Sequence, residues 1–136
     1  GMLDPLPRPI PLKNESIDVI RDYSPDTVLG PVFPRTRKGN VAHVRPLAGG
    51  GPDAQAAVPP GWVVFPRYRA GAQPLLHPFA KGRAFLQLSG NSFNYRLQGA
   101  RGFNGVADVT ENCDTWYLEF GDLDEAIALL TQMTDQ

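Results

Sequence analysis

The stretch TWYLEFGDLDEAIALLTQM, residues 115–133, predicts a strand that runs directly into a helix. Its first six residues alternate between two faces, with Trp116 on one and Tyr117 on the other, as in a strand of a sheet. Asp122 is placed to cap the helix, and Glu125 stands three residues later, as in a capping box. The buried helical face follows at the 3.6-residue period, with Leu123, Ala126, Ile127, Leu130 and Met133. A strand joined in this way to an amphipathic helix predicts a layered fold of both element types.

Upstream of this stretch, proline and glycine divide the chain into short elements. The predicted helices cover about residues 15–23, 78–89 and 100–111, and the predicted strands cover 41–45 and 62–65. Asn14 is the candidate N-cap of the first helix, while Pro46 and Pro66 are expected to end the two strands. Residues 27–40 are expected to form a loop. The loose alternation of strands and helices along the chain predicts an α/β or α+β fold, with helices packed on one small mixed sheet.

The length of 136 residues fits one domain. Residues 1–13 carry prolines at four alternate positions and are expected to form an extended arm or an edge strand. Proline lacks a backbone N–H and keeps its predecessor extended, which favours both forms. Residues 14–136 are expected to form a single domain, with a flexible loop at about 47–61, where bulky apolar residues are almost absent.

The composition is that of a soluble globular protein, with 42% hydrophobic and 20% charged residues. No apolar run approaches the roughly 18 residues that a membrane span needs, and the N-terminus lacks the pattern of a signal peptide. The single cysteine, Cys113, fits a reducing compartment and is expected to be a small buried hydrophobe. We therefore expect a cytoplasmic protein without a membrane partner.

Charge is unevenly distributed along the chain. Between residues 27 and 107 there are ten Lys or Arg and one acid, whereas residues 108–136 contain eight acids and no Lys or Arg. The basic segment is either an anion-binding surface or one half of a pair of segments that neutralise each other. Within it, Arg35, Arg37 and Lys38 stand close together between proline and glycine. Such a loop can direct several donors at one anion, because Arg offers a planar fork and Lys a point charge.

Several other kinds of site are not indicated. The glycines at 49–51 are followed by Pro-Asp rather than by the Lys and Ser or Thr of a Walker loop. One cysteine and two histidines lack the spacing of a zinc site, and no nucleic-acid-binding motif is present. The segment Asn91–Tyr95 could bind a polar ligand through its carboxamides. We expect instead that its Asn and Ser residues end a helix while Phe93 and Tyr95 pack.

Several blocks of the sequence resemble the HPr(Ser) kinase-related proteins, the group called HprK-related kinase A. In order, these blocks are PRPIPLKNESIDVI (7–20), VLGP (28–31), TRKG (36–39) leading into VAH (41–43), WVVFPRY (62–68), RAFL (83–86), NSFNY (91–95) and LDEAIAL (123–129). The resemblance spans nearly the whole chain.

The resemblance implies that this chain is the C-terminal part of a fold similar to HPr kinase and phosphoenolpyruvate carboxykinase. In the family, a phosphate-binding P-loop and a magnesium-binding acidic motif precede these blocks, so the chain is expected to lack autonomous kinase activity. It would use ATP and magnesium only with a complementing P-loop segment. The family is associated with exosortase and PEP-CTERM systems in bacteria.

The resemblance also places Lys13 and the basic loop near the transferring phosphate, without assigning a catalytic residue. The candidate phosphate contacts are therefore Lys13, Arg35, Arg37 and Lys38. The expected partner is a P-loop-bearing kinase half. The alternative is a small non-enzymatic module that binds an anionic or phosphorylated protein. A homodimer is expected as well, because a sheet without its N-terminal strands has an open edge. Neither nucleic acid nor metal is expected to bind.

Overall fold

Six strands and five helices form within residues 2–3, 8–45 and 57–135, the part of the chain that the computed structural model describes. They belong to two compact units, whereas the sequence predicts one domain from residue 14 onward. The first unit is Asp4–Ala57, and the second is Gly1–Leu3 together with Val58–Gln136. Most of the loop expected at about 47–61 lies outside the described residues. Each unit contains one three-stranded sheet, so the predicted mixed α and β fold class is confirmed.

The first unit is an antiparallel sheet with one helix. Its central strand is β3 (Gly39–Val44), with β1 (Ile10–Lys13) on one side and β2 (Phe33–Thr36) on the other. Helix α1 (Glu15–Tyr23) follows β1 directly. Among the described residues of this unit, Ala42 in β3 and Ile17 in α1 are buried. The predicted first helix and the strand predicted at 41–45 are thus confirmed, and the last four residues of the predicted arm form an edge strand.

The second unit holds the mixed sheet that the sequence predicts. Its central strand β6 (Asp114–Phe120) runs parallel to β4 (Trp62–Tyr68) and antiparallel to β5 (Leu75–Pro78). Leu118 in the middle of β6 is only 1% exposed, and Phe65 in β4 is 6% exposed. The core of this unit therefore lies at the middle of the sheet.

Four helices accompany this sheet: α2 (Lys81–Asn91), α3 (Tyr95–Gln98), α4 (Ala100–Asn112) and α5 (Leu123–Thr134). Asp122 caps α5 as predicted, because its carboxylate accepts hydrogen bonds from the backbone N–H groups of Asp124 (2.9 Å) and Glu125 (3.1 Å). Ala126 on the predicted inner face of α5 is buried. Among the described residues, no helix is both long enough and apolar enough to cross a bilayer.

Several local predictions are wrong, and each has a physical reason. The stretch 27–40 is not only a loop, because β2 forms within it and pairs with β3. Pro66 does not end β4, since an edge strand tolerates a proline whose nitrogen faces away from the sheet. Strand β5 was not predicted, and the helix expected from residue 78 begins at Lys81 because Pro78 still pairs with β6.

Within the two sheets, the prolines lie in the edge strands. Each of the four edge strands contains one proline, whereas the central strands β3 and β6 contain none. The edge prolines are Pro11, Pro34, Pro66 and Pro78. A proline removes a donor from the outer side of an edge and so disfavours pairing with another strand there. Part of the unusual proline content is thereby explained.

Candidate functional site

Two asparagines join the start of α1 to the start of β3. The backbone N–H of Asn14 donates to the carbonyl of Asn40 (2.9 Å), and the backbone N–H of Asn40 donates to Oδ1 of Asn14 (3.0 Å). The side chain of Asn14 thus takes the place that its own carbonyl would hold in the β1–β3 ladder. That carbonyl is free to accept from the N–H of Ile17 (3.1 Å) in the first turn of α1. The chain can therefore leave the sheet and enter the helix within one residue.

Gly39 makes room for this arrangement. A Cβ on Gly39 would overlap with the carboxamide of Asn14, and the backbone of Gly39 has a φ of 87°. Both features favour glycine, because other residues rarely adopt this conformation. Asn14 itself has a positive φ of 49°. The predicted N-cap position is correct, but the Asn14 side chain bonds to β3 instead of capping α1.

A bulge in β2 determines the backbone of Arg35. Phe33 pairs with Val41 and Thr36 with Gly39, so that two residues of β2 lie opposite Asn40 alone. Arg35 has a φ of 54°, which is uncommon for a residue with a Cβ. Its N–H donates to Oδ1 of Asn40 (3.2 Å). Asn40 therefore contacts both the bulge and the start of α1.

Arg37 and Lys38 form the two-residue turn between β2 and β3. The hydroxyl of Thr36 donates to the carbonyl of Gly39 (2.7 Å) and accepts from the N–H of Lys38 (3.1 Å). Gly39 supplies the positive φ that commonly follows a turn of this kind. The side chains of Arg37 and Lys38 are exposed at a turn whose backbone is held from both sides.

The four cations predicted to contact phosphate lie at one end of the first sheet. Lys13 ends β1 and pairs with Val41, close to where β3 leaves the basic turn. All four residues are exposed, and none of them is in an ion pair within the described residues. On α1, Arg21 forms an ion pair with Asp18 at 2.7 Å. We call this set, Lys13, Arg35, Arg37 and Lys38, the basic sheet end.

The segment Asn91–Tyr95 is partly as expected. The side chain of Asn91 donates to the carbonyl of Gln87 (3.0 Å), and that of Ser92 donates to the carbonyl of Leu88 (2.7 Å), so both help to end α2. Phe93, however, does not pack and is 96% exposed. Its position in the turn between α2 and α3 removes it from the helical face.

Cys113 lies just before β6 and is 1% exposed, as the sequence predicts for a small buried hydrophobe. Burial raises the pKa of its thiol, and Asp114 adds to that effect while Lys81 opposes it. The Lys81 ammonium bonds to the backbone carbonyls of Glu111 (3.0 Å) and Cys113 (2.7 Å) rather than to the sulfur. These surroundings keep the thiol protonated, unlike those of a nucleophilic cysteine.

The residues that hold the basic sheet end in place are not marked in the sequence. Asn40, the bulge at Arg35 and the connection of Asn14 to β3 have no distinct sequence pattern. The hairpin itself has one signal, a short basic turn that ends in glycine before a β-rich run. Within residues 2–3, 8–45 and 57–135, no group of three His, Cys, Asp or Glu is arranged to hold a metal ion.

Comparison with known proteins leaves the family undetermined. No protein-family model matches the chain, and no curated protein or solved structure matches it.

Proposed function

We propose that the chain is an anion-binding module and that the basic sheet end binds a phosphate group. The observation that carries this proposal is the pair of Asn14–Asn40 hydrogen bonds, which bring Lys13 to the same end of the sheet as the basic turn. Lys13 is distant in sequence from Arg35, Arg37 and Lys38, and the pairing of Lys13 with Val41 supports a shared role for these cations.

The charge of the basic sheet end suits a phosphate. Arginine offers paired donors to two oxygens, and lysine adds a point charge, so that several oxygens can be bound at once. No carboxylate in the described residues forms an ion pair with these four cations. The strained backbone at Arg35 supports the proposal, because such conformations concentrate at functional sites.

The resemblance to the HPr(Ser) kinase-related proteins extends this proposal. On that basis the chain corresponds to the C-terminal part of an HPr kinase and phosphoenolpyruvate carboxykinase-like fold in a cytoplasmic bacterial protein. The chain then acts together with a P-loop-bearing segment, which brings ATP and magnesium. The basic sheet end would then stabilise charge on the transferred phosphoryl group or its acceptor. The mixed α and β fold class supports this assignment at the level of class only.

Calorimetric titration with ATP–magnesium, ADP and pyrophosphate tests the site. The double variant Arg37→Ala/Lys38→Ala should bind each ligand at least about tenfold more weakly. The control Arg96→Ala/Arg101→Ala removes two exposed cations from the second unit and should bind as the native chain does. Affinity should fall steeply with added salt, as expected when a ligand is held by cations. Equal binding by the hairpin variant and the native chain would refute the assignment.

The exposure of the basic turn favours one alternative, a phosphorylated or otherwise anionic protein as the ligand. Arg37 and Lys38 are open to solvent on a hairpin and can reach a macromolecular surface. In that case the chain would bind none of the three small ligands but would bind a phosphopeptide, and the hairpin variant would lose that binding.

A further inference from the structure

A second polar cluster lies on the sheet of the second unit, away from the residues discussed so far. Tyr117 of β6 stands between Phe65 of β4 and His77 of β5 in the register of the sheet. Two residues further along β6, Glu119 stands beside Arg67 of β4. Residues two apart in a strand share a face, so these side chains belong to one face of the sheet.

Aromatic contacts fix the position of Tyr117 in this cluster. Its ring centroid lies 5.3 Å from that of His77 and 5.7 Å from that of Phe79. Phe79 in turn lies 5.2 Å from Phe65, which is buried. The cluster thus has one end in the core, while its other end, at His77 and Arg67, is exposed.

The hydrogen bond of His77 determines which ring nitrogen is available. Nδ1 of His77 lies 2.9 Å from the backbone carbonyl of Pro78. A carbonyl only accepts, so Nδ1 carries the proton in this bond and Nε2 of the neutral ring is an acceptor. No other hydrogen bond to His77 forms within the described residues. Its exposed Nε2 can therefore accept a proton donor from a ligand.

The cluster also carries excess positive charge. Nε of Arg69 donates to Oε1 of Glu119 at 3.1 Å, and its Nη2 donates to the same oxygen, so the Glu119 carboxylate is already paired. The neighbouring Tyr117 side chain and, to a smaller extent, the Glu119 carboxylate raise the pKa of Arg67. Two guanidinium groups thus lie near one carboxylate, and only that of Arg69 forms an ion pair with it within the described residues. The remaining donors of Arg67 are available to an anion.

Arg67 and Glu119 lie at a part of the sheet where ligands commonly bind. β4 and β6 are the parallel pair of this sheet, and Arg67 and Glu119 are the next-to-last residues of those strands. In sheets with parallel strands, the carboxyl ends are the usual place for ligand-binding side chains.

We propose that Arg67 and His77 form a second binding site, for a small oxyanion that also carries a hydroxyl proton. Arg67 donates to the oxyanion, and the ligand hydroxyl donates to Nε2 of His77, with the ring of Tyr117 between them. Two ligand classes share this chemistry, monoprotonated phosphate and 2-hydroxy carboxylates. The site belongs to the second unit and does not depend on the basic sheet end.

Matched ligand pairs test the hydroxyl requirement on the native chain. Nuclear magnetic resonance titrations at pH 8 would compare hydrogen phosphate with sulfate, and glycolate with acetate. In the pair that contains the true ligand class, the hydroxyl-bearing anion should bind about five- to tenfold more tightly than the anion without a hydroxyl. This ratio corresponds to roughly one hydrogen bond. The pair with the larger preference identifies the class. Absence of a preference in both pairs overturns the proposal.

Two substitutions and two controls assign the effect to residues. Arg67→Gln should weaken every anion about tenfold or more. His77→Phe keeps a ring beside Tyr117 and should abolish only the preference for the hydroxyl. Arg83→Gln removes an exposed cation from α2. It should change neither the affinity for the anions nor the preference for the hydroxyl-bearing anion. In the Arg37→Ala/Lys38→Ala variant, the resonances of the second unit should shift as in the native chain, while any phosphate response of the basic sheet end is lost, which separates the two sites.

The tautomer of His77 gives a readout that does not depend on any variant. A long-range proton–nitrogen spectrum of the free protein should show the proton on Nδ1, and the Nε2 resonance should shift when the hydroxyl-bearing anion is added. A proton on Nε2 in the free protein, or an unchanged Nε2 resonance at saturation, overturns the proposal.

Discussion

The side-chain oxygen of Asn14 occupies the space beside Gly39 that a Cβ would fill. Two residues far apart in the sequence thereby depend on each other. Gly39 needs its positive φ to close the basic turn, and Asn14 needs the open side of Gly39 to reach the N–H of Asn40. The basic sheet end is therefore held by backbone and carboxamide contacts, while its charged side chains form no ion pair with the part of the chain that the structure describes.

Replacement of Gly39 by alanine should be more damaging than the same change at Gly71. Both glycines have a positive φ, of 87° and 72°, and alanine at such a position costs about 1–2 kcal/mol. A Cβ on Gly71 meets nothing within 4 Å, whereas one on Gly39 overlaps with Asn14. The overlap should add about 1–3 kcal/mol to the loss at Gly39. Urea denaturation of the two variants measures the difference, and equal losses would contradict the proposed contact.

Asn14→Ala should lower the free energy of unfolding by about 0.5–1.5 kcal/mol more than Asn94→Ala does, because the lost hydrogen bond is exposed. Both asparagines have a positive φ, of 49° and 62°. Only the Asn14 side chain satisfies a backbone N–H, that of Asn40, so the comparison isolates this bond from the effect of the backbone conformation. Asn14→Ala should also weaken phosphate binding. Unchanged affinity would show that the four cations do not need this contact.

Cys113 should make the stability depend on pH in the alkaline range. Its thiol pKa is raised in the folded chain, so the folded state keeps a proton that the unfolded state loses. The contribution of the protonated thiol to the free energy of unfolding is fully present below the ordinary thiol pKa of about 8.5. It is lost as the pH rises above that value. The stability advantage of the native chain over Cys113→Ala should therefore narrow between pH 8 and pH 10. A difference that stays constant or widens with pH would contradict this prediction.

Pro66→Val should promote self-association while it preserves the fold. Pro66 lies in the edge strand β4, and valine would restore an outward N–H and a β-branched side chain there. Light scattering over a range of concentrations should show larger species for this variant than for the native chain. Pro74→Val changes a proline that precedes β5 and is the control. The homodimer expected from an open edge stays a prediction, and the edge prolines argue against strand pairing as its route.

Elements with a strong local pattern could be predicted from the sequence. The alternation at residues 115–120 and the Asp122 cap appear in the structure as β6 and α5. β5 could not be predicted, because its four residues contain a proline and a histidine, and only pairing with β6 makes them a strand. The division into two units depends on contacts between distant residues, which periodicity does not report.

In the candidate site too, residues that are adjacent in sequence could be predicted, whereas residues brought together by strand pairing could not. Arg35, Arg37 and Lys38 are neighbours in the sequence and could be selected by charge and residue type. The placement of Lys13 beside them depends on the β1–β3 register. The cluster of Arg67, His77 and Tyr117 was missed because its members come from three different strands. No spacing in the sequence marks such a cluster.

The bridge between Leu3 and Val58 determines where the chain can be cut to separate the two units. These two residues exchange backbone hydrogen bonds of 2.7 and 3.0 Å, and both belong to the second unit. The chain thus leaves the second unit after Leu3 and re-enters it at a neighbouring point. In topological terms the first unit is an insertion, and its removal would need only a short linker to rejoin the two ends. Separate expression of the two units would therefore test each proposed binding site in the absence of the other.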